Sequence, residues 1–163
     1  SHSHGDHVGG LVNVDGQPNY PNATVHLSKP EWEHMSAQEQ YAGMVAAIKA
    51  KIDAFAPGAE LVPGTVKAVE VRGHTPGHSA YLVSSRAESL LYVGDTVHHY
   101  VVSVQKPEWT ISFDGDSSTA SASRAKLIAD SAASGQRIYA VHFPFPGIGK
   151  FEKRGEGFAW AGE

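Results

Sequence analysis

The chain has 163 residues, a formal net charge of −4 and 41% hydrophobic residues, which suits one ordinary domain with a buried core. The mild negative charge, without any basic run, sets nucleic acid aside as a partner, and no apolar stretch approaches membrane-spanning length. A cysteine count of zero excludes disulfides and any thiolate metal ligand.

The chain opens on Ser1-His2-Ser3-His4-Gly5-Asp6-His7-Val8-Gly9-Gly10, with four potential metal ligands between His2 and His7. On an extended strand, residues i and i+2 point to the same side, so His2 and His4 can reach one ion. Gly5 is expected to break that strand and turn Asp6 and His7 toward a neighbouring point. Gly9-Gly10 is expected to turn the backbone into a following helix. A purification-tag-like tract is set aside because Asp6 and the double glycine do not belong to one, and matching partners follow.

Residues 23–27 read as a strand. Ser28 then caps a helix, with Glu31 three residues later in a capping-box pattern. A helical tract is expected over 41–52, ended by Pro57-Gly58. Strands are expected over 65–71, 80–84 and 89–93, separated by turn residues. The Ala/Ser-rich stretch 117–133 reads as a surface helix over the sheet, 137–141 as a buried strand and 151–160 as a closing hairpin. Three further ligand candidates sit where strands end: His74 in Gly73-His74-Thr75-Pro76-Gly77-His78, Asp95 after Tyr92-Val93-Gly94, and His142 after Val141. A strand's end on a rigid sheet is the usual place for a site.

In this order, His-x-His-x-Asp-His, Gly-His-Thr-Pro-Gly-His, a Gly-Asp after a strand and a later His resemble the metallo-β-lactamase-fold hydrolases. Within that superfamily, Val62-Pro63-Gly64 and His142-Phe143-Pro144-Phe145-Pro146-Gly147-Ile148-Gly149 look like methyl parathion hydrolase and its relatives. The resemblance implies that His2, His4 and His74 hold a first metal, that Asp6, His7 and His142 hold a second, and that Asp95 bridges the two. It also implies a four-layer αβ/βα sandwich of two similar halves with the metals between their edges. Relatives carry a sheet-and-helix unit before the His-x-His motif. Residues 1–163 are therefore expected to be a single metallo-β-lactamase-like domain lacking its amino-terminal half. The rest of a longer product or another chain would complete it. A half-sandwich exposes apolar faces, so low stability or self-association, for example as a homodimer, is expected.

The lack of cysteine argues against β-lactamase subclasses that use one on the second zinc, and Asp95 against the remaining dizinc subclass. The ligands suit two divalent ions, zinc by default, with manganese, iron or cobalt also fitting. Two such ions bring four positive charges, of which Asp6, Asp95 and a bridging hydroxide remove three. The remainder suits a transition state that gains negative charge. The metals bring a bridging water toward a pKa of about 7, and the hydroxide attacks a carbonyl or phosphoryl centre. Asp6 can orient it, and His98, just past Asp95, can contact substrate or donate a proton to the leaving group. His78 and Thr75 read as hydrogen-bonding supports behind the ligands. His99 reads as structural, Trp109 as a loop anchor, and His26 and His34 as surface residues.

Trp32, Tyr41, Phe143 and Phe145 flank the metal loops in the implied fold and are the candidate substrate pocket. Together they point to a small, uncharged or apolar, ester-like substrate: a lactone, aryl ester or phosphotriester. Hydroxyacylglutathione-type thioester hydrolysis is the nearest alternative, although the chain ends soon after His142. A non-catalytic metal-binding fragment is the alternative from another class. The sequence marks the chain as soluble and leaves a bacterial-type cytoplasm or periplasm open.

Overall fold

The computed structural model describes residues 1–163. Its first part comprises a helical turn α1 (Gly5–Val8), β1 (Val25–Ser28), α2 (Lys29–Ser36), α3 (Ala42–Ile48) and β2 (Ile52–Phe55). Five strands and two helices follow: β3 (Glu60–Val62), β4 (Val66–Glu70), β5 (Ser79–Ser85), β6 (Glu88–Tyr92), α4 (Val102–Gln105), α5 (Ser117–Ser134) and β7 (Arg137–Tyr139). The chain closes with the hairpin β8 (Ile148–Arg154) and β9 (Gly157–Gly162).

Strands β3 to β9 form one sheet in sequence order. Every neighbouring pair is antiparallel except β6 and β7, which run parallel because their connection carries α4 and α5 across one face. Side chains alternate across this sheet with period 2. Ala80, Leu91, Ile138 and Phe151 therefore point to one side, where Leu127 and Ile128 of α5 bury them in the main core. The other face carries the row Tyr81, Tyr92 and Tyr139, with ring centroids 6.4 and 5.7 Å apart along it. On that face Val83 is 40% and Tyr139 37% exposed, so apolar surface does remain open.

Strands β1 and β2 make a separate parallel pair, with α2 and α3 in the connection. Val8, Leu27, Met35 and Ile48 form its small core, and Trp32 and Tyr41 pack against it. The capping reading at Ser28 agrees with the observed helix start, where Ser28 Oγ accepts from Glu31 N at 3.3 Å. The helix expected over 41–52 is shorter, spanning Ala42–Ile48 with a 3-10 turn on either side. Ile52 instead begins β2, because its register opposite Val25 places it in the parallel pair. Strands β2 and β3, of 4 and 3 residues, were not anticipated. No helix is long and apolar enough to cross a membrane.

Candidate metal centre

The first motif folds differently from the expected strand and turn. Residues 1–3 belong to no strand, and His4 is the N-cap of α1 in an extended conformation at φ −66°, ψ 151°. The amides of His7 and Val8 both donate to His4 O, so Gly5 opens a helical turn rather than merely ending a strand. Gly9 stays right-handed at φ −56°, and Gly9–Leu11 prolong the coil as a 3-10 turn, where a new helix was expected. This helical turn groups Asp6 and His7 with Asp95 and His142, while the His7 ring stays 4.1 Å from that of His2 between centroids.

Two groups of donors result, His2, His4, His74 and Asp95 in one and Asp6, His7, Asp95 and His142 in the other. The donor atoms within each group lie within 4.8 Å of one another. In the first group His4 Nδ1 is 3.1 Å from His2 Nε2 and 3.0 Å from His74 Nε2. Three imidazole nitrogens converging at this spacing suit a cation, since nitrogens at about 2.1 Å from tetrahedral zinc stand roughly 3.4 Å apart.

Asp95 joins the groups, and its two oxygens divide between them. Oδ2 lies 3.8 Å from His2 Nε2 and 3.5 Å from His74 Nε2, whereas Oδ1 lies 2.9 Å from His7 Nε2 and 3.1 Å from His142 Nε2. Oδ1 is buried, and none of its close contacts has the angles of a hydrogen bond. A buried carboxylate oxygen facing two imidazole nitrogens in this way fits a divalent ion between them. Burial alone would raise the Asp95 pKa; the imidazoles of His7 and His98 against it outweigh burial and hold it well below the usual carboxylate range. The residues present fit a pair of divalent ions.

The ligands rest on a fixed scaffold. Gly94 adopts φ +50°, and a Cβ there would meet His78 Nε2 at 2.6 Å. Glycine lets His78 Nε2 accept from Asp95 N at 3.1 Å, while His78 Nδ1 faces Val71 O at 3.1 Å. His78 is fully buried, and desolvation, followed by the nearby His74, pushes its pKa down to about 3, so it stays neutral. His74 Nδ1 lies 3.1 Å from Asp114 Oδ1, a carboxylate that sequence reasoning missed. Asp114 is held in turn by Arg124, whose Nη2 donates to Oδ2 at 2.9 Å. Arg124 also donates to Thr96 O, Pro107 O and Trp109 O, and is only 2% exposed. The expectation that α5 is a simple surface helix is corrected by this buried guanidinium. No local pattern marks Asp114 or Arg124, because each finds its partners through the fold.

Burial is likewise the first cause that lowers the pKa of His2 and of His4. These imidazoles and His78 take up protons more readily unfolded, near ~6.5, than folded. Their contribution to the stability of the metal-free chain is therefore fully present above about pH 6.5 and is lost as pH falls toward 3, the folded value of His78. Urea midpoints of chelator-treated protein should drop between pH 7 and pH 5; equal midpoints would contradict this.

The four aromatics expected to line a pocket do not meet. Trp32 and Tyr41 pack on the small core. Phe143 is 5% exposed in the main core, edge-on to Trp160 with centroids 4.8 Å apart, because aromatic neighbours on β8 and β9 enclose it. Phe145 is 98% exposed. Instead a cavity of about 570 Å³ opens beside His4 and His74, walled by His34, Arg72, Pro76, Phe113, Asp116 and Thr119 among others. His34, read as an ordinary surface residue, thus faces this cavity. Thr75 lines it too. His98 Nε2 stands 3.4 Å from Asp95 Oδ2, and its ring stacks on His142 at 5.1 Å between centroids. His99 Nδ1 accepts from Val101 N and Val102 N at the start of α4, a structural part. His26 pairs with Asp53 on the exposed β1–β2 face. At Trp109 the backbone carbonyl, rather than the ring, ties down the loop.

The sequence profile of the metallo-beta-lactamase superfamily matches residues 1–142. No curated protein sequence matches the chain. Among solved structures, the chain superposes on AidC, a dizinc quorum-quenching lactonase solved with a product, at a TM-score of 0.89 and 28% identity. It superposes on the hydrolase AbOPH, of the beta lactamase superfamily, at 0.87 and 33% identity. In both cases 99% of this chain is covered and 62% of the other, so the chain spans less than two thirds of these relatives. A probable metal-dependent hydrolase from Staphylococcus aureus shares the fold at a TM-score of 0.81 and 21% identity, over 99% of this chain and 60% of that one.

Proposed function

The chain belongs to the metallo-β-lactamase superfamily, and on that premise we propose that it carries the centre of a dinuclear metal-dependent hydrolase acting on lactones, aryl esters or phosphotriesters. The observation that carries this reading is the pair of donor groups sharing Asp95, one carboxylate oxygen to each. Lactones come first among the substrates, supported by the likeness to AidC, itself a dizinc lactonase. The stretches at 62–64 and 142–149, which look like methyl parathion hydrolase, support the phosphotriester option.

His2, His4, His74 and Asp95 Oδ2 would hold one ion, and Asp6, His7, His142 and Asp95 Oδ1 the other. Two divalent ions, zinc by donor chemistry with manganese, iron or cobalt also accommodated, would supply Lewis acidity and an activated water at neutral pH. The protein's residues do the rest. Asp95 spaces the two positions and offsets part of their charge. The Asp6 side chain, 68% exposed, stands on the open side, where it can accept a hydrogen bond from the attacking water and orient it. His98 has a buried Nδ1 without a hydrogen-bond partner and lies against both groups, where it can contact the leaving oxygen. The cavity beside His4 and His74 receives the substrate, with Phe113 as its large apolar wall.

The test is turnover of a lactone and of an aryl phosphotriester by zinc-loaded protein, before and after chelation, alongside His142→Ala. Turnover should vanish with chelator, return with zinc and be absent in His142→Ala. Metal retained without turnover of either compound would overturn the reading.

A further inference from the structure

Glu31 belongs to α2, far in sequence from every candidate ligand, yet its side chain reaches the metal centre. The residue is fully buried at 0% exposure. In a capping box its carboxylate would turn back to the amide of Ser28. It turns inward instead. Oε1 accepts from Ser3 N at 2.7 Å and from Ser3 Oγ at 2.6 Å. Oε2 accepts from Thr75 Oγ1 at 2.6 Å and from Gly77 N at 2.9 Å. Ser3 lies between His2 and His4, and Thr75 follows His74. The two oxygens of one side chain thus grip the two segments that supply the first metal position.

The close approach of α2 reinforces the grip. Ser28 Oγ donates to Gly77 O at 2.6 Å, and a Cβ on Gly77 would stand 2.2 Å from Glu31 N. The helix start therefore rests directly on the turn after His74. Four hydrogen bonds compensate the burial of this carboxylate in the interior.

We propose that Glu31 is a positioning residue, which sets the spacing between the His2–His4 pair and His74 and thereby the affinity of the first metal position over the second. This rests on the reading of those histidines as ligands. A glutamine offers one acceptor and one donor group in place of two acceptor oxygens, so it opposes a donor on one side of the clamp.

The test measures zinc affinity and stoichiometry by chelator competition, and the cobalt absorption spectrum, for Glu31→Gln with Glu33→Gln as control. Glu33 lies on the same helix with its side chain 65% exposed. In Glu31→Gln the first ion should bind about 10–100-fold more weakly and the cobalt bands should shift, while the second ion binds as before. Glu33→Gln should match the parent. Thr75→Val should weaken the first ion, and Thr75→Ser, which restores the hydroxyl, should recover it; this pair serves also where Glu31→Gln fails to fold. Unchanged affinity and spectrum in Glu31→Gln and Thr75→Val would overturn the proposal alone, provided His74→Ala loses the first ion. Unchanged affinity in His74→Ala would overturn the ligand assignment and the proposal with it.

Discussion

Asp95→Asn should weaken both metal positions at once and reduce turnover by on the order of 1000-fold or more, beyond the roughly 100-fold that loss of an outer hydrogen-bond partner costs. The reason is the division of its oxygens. Oδ2 faces His2 and His74, and Oδ1 faces His7 and His142. An asparagine keeps one neutral oxygen and presents an amide group, itself a donor, to the other pair. It also removes a negative charge that would offset bound cations in a buried site. The fold should survive, because the hydrogen bond from the amide of residue 95 to His78 Nε2 is a backbone contact that the substitution keeps. Metal analysis and thermal melts of the metal-free variant separate these effects. Full metal content in Asp95→Asn would show that the carboxylate does not join the positions.

Arg124→Ala should cost stability heavily, about 3–5 kcal/mol, because it breaks a buried ion pair and leaves the partner charged. Asp114 keeps only His74 as a side-chain partner, and the carbonyls of Thr96, Pro107 and Trp109 lose their donor. For a chain of this size the melting temperature should fall by about 10 °C or more. Zinc affinity at the first position should fall too, since Asp114 orients His74. Replacing Asp114 together with Arg124 should recover part of the stability but none of the metal affinity, which a double-mutant cycle reads directly. A melting temperature within 2 °C or so of the parent would remove Arg124 from this role.

Metal chemistry was legible in residue order because ligand types are few and their spacing follows backbone geometry. His2 and His4 fall in one donor group, and His74, Asp95 and His142 each follow a strand. The strands over 66–70, 79–85 and 88–92 were legible, with slightly different ends, through the turn residues that separate them. Strands β2 and β3 were not, because β2 is defined by its pairing with the distant β1 and its first residue, Ile52, reads as the end of the preceding helical tract.

The packing of the four aromatics and the supports behind the candidate ligands were decided by tertiary structure alone. Phe143 has the same composition signal whether it faces substrate or core, and the strands around it settle the matter in favour of the core. Arg124 sits in a stretch whose Ala/Ser content describes a surface helix, while its surroundings make it an interior hub. Glu31 matched a local capping rule, yet donors 28 and 44 residues away hold its carboxylate. Identity and order of ligands are local properties that a sequence carries by itself. Which side chain lies behind a ligand, and which wall faces the substrate, depends on distances that exist only once the chain has closed.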